Sequence, residues 1–203
     1  MAKSKSKAKA KAKGSSKRKA PAKSITKAKT TRRAAPTAKA RTAGKRPALK
    51  LPAFDPAALP AQVGSGYPKP FCDPVAGRAK RRLGDVVGLT QFGVNLVTLP
   101  PGCQSSMRHW HKNEDELVFV VSGELVLATD EGEQVLTPGM AAGFPAGKPN
   151  GHHLINRTRR NATYLEVGTR WPGGDEADYS DVDMLMRVID GDERFVRKDG
   201  TPY

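Results

Sequence analysis

The stretch PPGCQSSMRHWHKNEDELVFVVSGE, Pro100–Glu124, sets two histidines one residue apart ahead of a cluster of acids and an apolar run. Side chains of a β-strand alternate between faces, so His109 and His111 point one way while Arg108 and Trp110 point the other, toward the surface. Glu116 opens the run ELVFVV and shares a face with Val118 and Val120. If that face is interior, two imidazoles and one carboxylate converge there. A lone inward carboxylate is costly, and a divalent cation removes that cost. Glu114 and Asp115 fall in the turn, where they are expected to stay hydrated. Met107 has the parity of the histidines, so Met107 and Val118 are expected to line the pocket wall. Cys103 reads as a small strand residue, with nothing beside it to activate a nucleophile.

Working outward, the chain from about Gln91 consists of short β-rich runs divided by turn residues: QFGVNLVTL, ELVFVV, ELVLAT, QVL, AAGF, HHLINRT and NATYLEVGT. Short strands at close spacing with no long helical period between them point to an antiparallel all-β sandwich or barrel. SGE, Ser122–Glu124, reads as a tight hairpin between two runs. MLMRVI and ERFVRKDGTPY are candidate further strands near the C-terminus. A fourth ligand for the site can come from GHHLINRT, where His152, Leu154 and Asn156 share one face and His153 takes the other. An inward His152 completes three histidines and a glutamate, a donor set suited to Mn, Fe, Zn, Ni, Co or Cu with positions left open for a ligand. His153 is the competitor for that place, and Asn156 is expected to support the ligands or the packing around them.

These two runs resemble the paired motifs of the cupin superfamily. Gly102, His109, His111, Glu116 and Gly123 fall at the marked positions of the first motif, with one extra residue between Gly102 and His109. Gly139, Pro145, Gly147, His152 and Asn156 fall at those of the second, with a longer spacer before His152. The likeness runs from about 70 to 203 and is greatest to single-domain cupin domain-containing proteins of type 2. It implies a double-stranded β-helix, or jelly-roll barrel, holding one divalent metal at His109, His111, Glu116 and His152. It also implies a small-molecule ligand and a homodimer, whose contact the apolar residues of the 51–75 arm could serve. Reaction is left open, because the family spans dioxygenases, decarboxylases, isomerases, lyases, storage proteins and sugar-binding regulators.

Charge divides the chain sharply. Residues 1–50 hold nineteen of the 35 Lys and Arg and no acid, so the formal +15 of the whole describes neither part. The remainder, with 16 bases against 20 acids, is mildly acidic. The front segment is low in complexity and has almost nothing to bury, so it is expected to be a disordered tail. Its cations, Lys3, Lys5, Lys7, Lys9, Lys11, Lys13, Lys17, Arg18, Lys19, Arg32 and Arg33, are candidates for non-specific contact with nucleic acid or another polyanion. A Pro-rich arm is expected over 51–75 and the barrel over 76–203, with the motifs in 91–170. Two cysteines, Cys72 and Cys103, are too few for a disulfide framework and suit a reducing compartment. No apolar run approaches the roughly 18 residues of a membrane span. A cytoplasmic protein is expected, with nucleoid association or organelle import as the tail's alternatives. Function is expected to be a metal-dependent enzyme on a small oxygen-rich, carboxylate or sugar-like molecule. The alternative is a binding or regulatory cupin tethered to nucleic acid by its tail.

Overall fold

A computed structural model describes residues 49–203, so the basic tail and its candidate polyanion contacts lie outside the described residues. Thirteen strands are present among the described residues: β1 (Gln62–Val63), β2 (Ala79–Arg82), β3 (Phe92–Leu99), β4 (His109–His111), β5 (Glu116–Ser122), β6 (Leu125–Thr129), β7 (Gly132–Leu136), β8 (Ala141–Phe144), β9 (His153–Ile155), β10 (Ala162–Thr169), β11 (Ala177–Tyr179), β12 (Leu185–Ile189) and β13 (Asp192–Val196). Each is short and bounded by turn residues, as the sequence pattern requires.

The strands form an antiparallel jelly-roll barrel. One wall is the sheet β1-β2-β3-β10-β5-β8. The other is built from β7-β6-β9 and β13-β12-β11-β4, which an antiparallel bridge between His109 and His152 joins edge to edge. Alternation places Val97, Leu99, Val118, Val120, Ala162 and Tyr164 of the first wall against Leu125, Leu127, Leu136 and Leu154 of the second in one apolar core.

The hairpin expected at SGE is not formed. Strands β5 and β6 leave for different sheets, and Ser122–Glu124 is the corner between them. Gly123 has φ +77°, and a Cβ there would lie 2.7 Å from the Ala162 Cα, so the corner needs glycine both for its backbone and for its close approach to β10. The local turn signal was right and the pairing inferred from it was wrong. The C-terminal candidates do pair, with Leu185–Ile189 opposite Asp192–Val196.

The Pro-rich segment lies against the barrel within its own chain. Tyr67 packs edge-on against Tyr179 and Phe195, and Phe71 against Tyr203. Both rings join a second apolar cluster around Tyr179 and Met184. These intrachain contacts leave both side chains half-buried.

Candidate metal centre

Register across the first wall decides what enters the barrel. Reading from its open end, one interior rung is Gly93, Gly168, Glu116 and Phe144 on β3, β10, β5 and β8. The next is Arg82, Asn95, Glu166, Val118 and Ala142, and the one below it is Lys80, Val97, Tyr164 and Val120. Polar side chains thus occupy the upper rungs of β3, β5 and β10, whose lower rungs are apolar, while β2 carries Lys80 on its lower rung.

From the second wall, β4 presents His109 and His111 on one face, and the bridge to His152 brings the third imidazole alongside. One ligand atom from each of His109, His111, Glu116 and His152 lies within 4.8 Å of the others. Nε2 of His109 is 3.1 Å from Nε2 of His111, which is 3.2 Å from Oε2 of Glu116. Nε2 of His152 is 3.4 Å from the same oxygen.

Surrounding contacts aim these atoms. Nδ1 of His109 lies 2.9 Å from the Met107 carbonyl, an acceptor, so this nitrogen carries the hydrogen and Nε2 keeps its lone pair. Nδ1 of His111 likewise donates to Oδ2 of Asp175. Phe144 stacks flat on His152, with centroids 3.5 Å apart and planes at 2°, and Tyr179 stacks on His109.

Burial pulls the His109 imidazolium down to about 3, and the neighbouring His111 and His152 push the same way. His109 is therefore a neutral donor. Burial also opposes a charge on His111, but its bonds to Asp175 and Glu116 outweigh this and raise it to about 10. Glu116 is held well below the usual carboxylate range by His111 and His152 despite its own burial. Asp175 and Glu116 thus favour positive charge on His111, and a metal ion among the four atoms would supply that charge in place of the proton. Three nitrogens and a carboxylate oxygen fit that charge to a metal ion, with further positions open to a ligand.

The remaining sequence candidates are placed as follows. His153 turns to the Ser106 carbonyl at 3.1 Å and stays outside the cluster. Val118 lines the cavity below Glu116. Met107 packs against the second apolar cluster and serves the site through its backbone carbonyl. Asn156 is fully buried and supports no ligand. Its Nδ2 donates to the carbonyls of Leu99 (2.8 Å) and Arg160 (2.7 Å), and its Oδ1 accepts from Thr158, fixing the loop before β10. Glu114 is not a hydrated turn residue: it accepts from the Trp171 amide at 2.8 Å and pairs with Arg170. Arg108, on the face away from the ligands, bonds Asp181 and Asp130 and so ties two loops together. Both cysteines are free.

Asp175 escaped the sequence reading. It is 3% exposed and lies in the Gly-rich WPGGDEADYS, which has no period to mark it. Its Oδ1 accepts from the Asn113 amide at 3.0 Å while Oδ2 holds His111. Also missed were Arg78, Lys80, Asn95 and Glu166, which line a cavity of about 470 Å³ beside the four ligands. For Asn95 and Glu166 a signal existed, since each shares the parity of buried apolar neighbours on its strand.

Residues 95–168 match the cupin domain family. A sugar phosphate isomerase of the cupin superfamily from Silicibacter pomeroyi DSS-3 is 49% identical, superposes with a TM-score of 0.71, and is matched over 75% of this chain and 96% of its own. A candidate sugar phosphate isomerase from Acidithiobacillus ferrooxidans is 29% identical with a TM-score of 0.57, over 63% of this chain and 81% of its own. No curated protein matches. Sharing its barrel, and about half of its aligned residues along nearly the full length of the first of these relatives, the chain belongs to the cupin superfamily, in its type-2 subgroup.

Proposed function

We propose that the barrel is a metal-dependent isomerase of a small sugar phosphate. The observation that carries this reading is the cluster of three Nε2 atoms and one carboxylate oxygen opening onto a polar cavity of about 470 Å³, a size that suits a small phosphorylated sugar. His109, His111, Glu116 and His152 would hold one divalent transition ion among Mn, Fe, Zn, Ni, Co and Cu. When bound, such an ion supplies a Lewis acid that polarises substrate oxygens.

Arg78 supports an anionic substrate. Its Nη1 and Nη2 donate to the Ser105 and Gly64 carbonyls at 2.7 and 3.1 Å, while its Nε is buried without a hydrogen-bond partner. No carboxylate among the described residues pairs with this guanidinium, so its charge is available to a phosphate in the cavity. The two relatives described as sugar phosphate isomerases point to the same substrate class. Incubating metal-loaded protein with aldose and ketose phosphates of three to six carbons and following them by NMR tests the reading. Interconversion of one pair that stops on chelation is expected, and no conversion of any pair contradicts it.

Two accompanying readings concern assembly and the tail. The outer face of β5 exposes Leu117, Phe119 and Val121 at alternate positions, which supports a homodimer through this wall. A monomer in sedimentation rules that out. The nineteen cations of residues 1–50 support non-specific polyanion binding in the cytoplasm. Salt-dependent DNA titration of the full chain against a chain beginning at Leu51 tests this, and equal binding by both dismisses it. No helix among the described residues is long and apolar enough to cross a membrane.

A further inference from the structure

Glu166 is a carboxylate inside the barrel that no metal ligation explains. It lines the same cavity as the four ligands without belonging to their cluster. Its register partner on β5 is Val118, and Gly168, two residues on, stands opposite Glu116. Glu166 and Glu116 are therefore diagonal neighbours on one face, a relation that sets them about 7 Å apart. Gly93 and Gly168 carry no side chain on that rung, and the Arg170 guanidinium lies against both.

The carboxylate is held by one oxygen. Oε1 accepts from Lys80 Nζ at 2.7 Å and from Asn95 Nδ2 at 2.9 Å, and Oε2 has no hydrogen-bond partner among the described residues. The Lys80 and Glu166 side chains are only 21% and 18% exposed. Enclosing an ion pair costs desolvation that its attraction does not reliably return, so such a pair is weak evidence of a stabilising role. One rung deeper the same wall uses Val97, Tyr164 and Val120. Lys80 reaches up from that deeper rung, so Glu166 stands at the last polar level of β10 before the core, in the cavity of the four ligands.

Resting on the sugar phosphate isomerase reading, we infer that Glu166 is the catalytic residue that moves the carbon-bound proton, with Lys80 and Asn95 positioning it. Oε2 takes the proton from the hydroxyl-bearing carbon next to the carbonyl. The electron pair of that C–H bond becomes the C=C bond of an enediol as the carbonyl π pair moves to its oxygen. The same carboxylic acid returns the proton to the former carbonyl carbon, while the hydroxyl proton passes to the former carbonyl oxygen. One C–H bond breaks and one forms, the carbonyl moves by one carbon, and no outside oxidant or reductant is needed.

The test follows exchange of substrate carbon-bound hydrogen in ²H₂O by NMR, using the metal-loaded full chain and the same panel of aldose and ketose phosphates. Glu166→Gln keeps an acceptor for Lys80 and Asn95 but cannot act as the base. It is expected to slow exchange roughly 1,000-fold, within the range that proton transfer contributes. Metal stoichiometry, melting temperature and affinity for the alditol phosphate of the active sugar, which has no carbonyl, should stay within twofold of wild type. Glu166→Asp, which keeps a shorter acid, should exchange at least tenfold faster than Glu166→Gln. Wild-type exchange in Glu166→Gln overturns the assignment. Loss of metal or of alditol phosphate binding together with exchange overturns it in favour of a structural role. Wild-type protein that exchanges none of the panel overturns the isomerase reading itself, and the assignment with it.

Discussion

The two ends of the barrel interior are built by the same strands and differ in almost everything else. On β3, Asn95 gives way to Val97 and Leu99; on β5, Glu116 gives way to Val118 and Val120; on β10, Glu166 gives way to Tyr164 and Ala162. Polar groups are costly to bury unless paired, so they collect at the open end, where each meets another polar group or a potential ligand. Apolar side chains fill the closed end, where they leave water completely. Stability should therefore reside in the lower rungs and chemistry in the upper ones. Substitutions at the two ends ought to fail in different ways.

The largest effect is expected in the closed end. Leu99 is fully buried, and Leu99→Ala should cost about 3 kcal/mol of unfolding free energy in urea titration. The folded fraction should keep its metal affinity. A loss under about 1 kcal/mol would break the division of labour, because it would show that the core tolerates a cavity.

At the open end, His109→Ala should reduce metal affinity roughly 100-fold, taking a total binding energy on the order of 10 kcal/mol as shared among four ligands. Melting of the chelated protein should change far less than in Leu99→Ala. Should chelated His109→Ala melt as poorly as Leu99→Ala, the imidazole would be a core residue and not a ligand.

Asp175→Asn sharpens the comparison, because it removes the charged acceptor of His111 Nδ1 while leaving an amide oxygen to accept from the Asn113 N–H. It should weaken metal binding roughly 10-fold to 100-fold with all four ligands in place. An unchanged affinity by competition with a metallochromic chelator would mean that the Asp175 bond serves the loop alone.

The smallest effect concerns the cysteines. Cys103 is 6% exposed at the edge of the core, and burial pushes its thiol up, whereas Cys72 is half-buried and outside it. A thiol reagent at neutral pH should modify Cys72 first and reach Cys103 only after urea is added. Equal rates in the native protein would place Cys103 outside the core.

Much of the barrel could be read from the chain because strand alternation is a local property. Parity put His109, His111 and Glu116 on one face and set His152 apart from His153, and these four side chains do lie together. For Asn156 parity gave the face but not the partners: of the two roles open to it, supporting the ligands or packing, its bonds favour packing around the loop before β10. The SGE corner was misjudged because a turn residue reports backbone shape, while the partner of a strand is set by residues far along the chain. Asp175 lies 64 residues from the histidine it holds, in a loop with no period, and no local signal records that distance. Lys80 and Glu166 are 86 residues apart, yet Glu166 interrupts an apolar face and could have been flagged on that ground alone.

The central claim is that the open end binds a metal ion. Elemental analysis of protein purified without chelator or added metal, run beside a His109→Ala, His111→Ala double variant, addresses it most directly. The account predicts about one transition-metal ion per wild-type chain, from four donors converging on one point, and little or none in the variant. A wild-type protein with no metal above background, or a double variant that keeps the full amount, would contradict it.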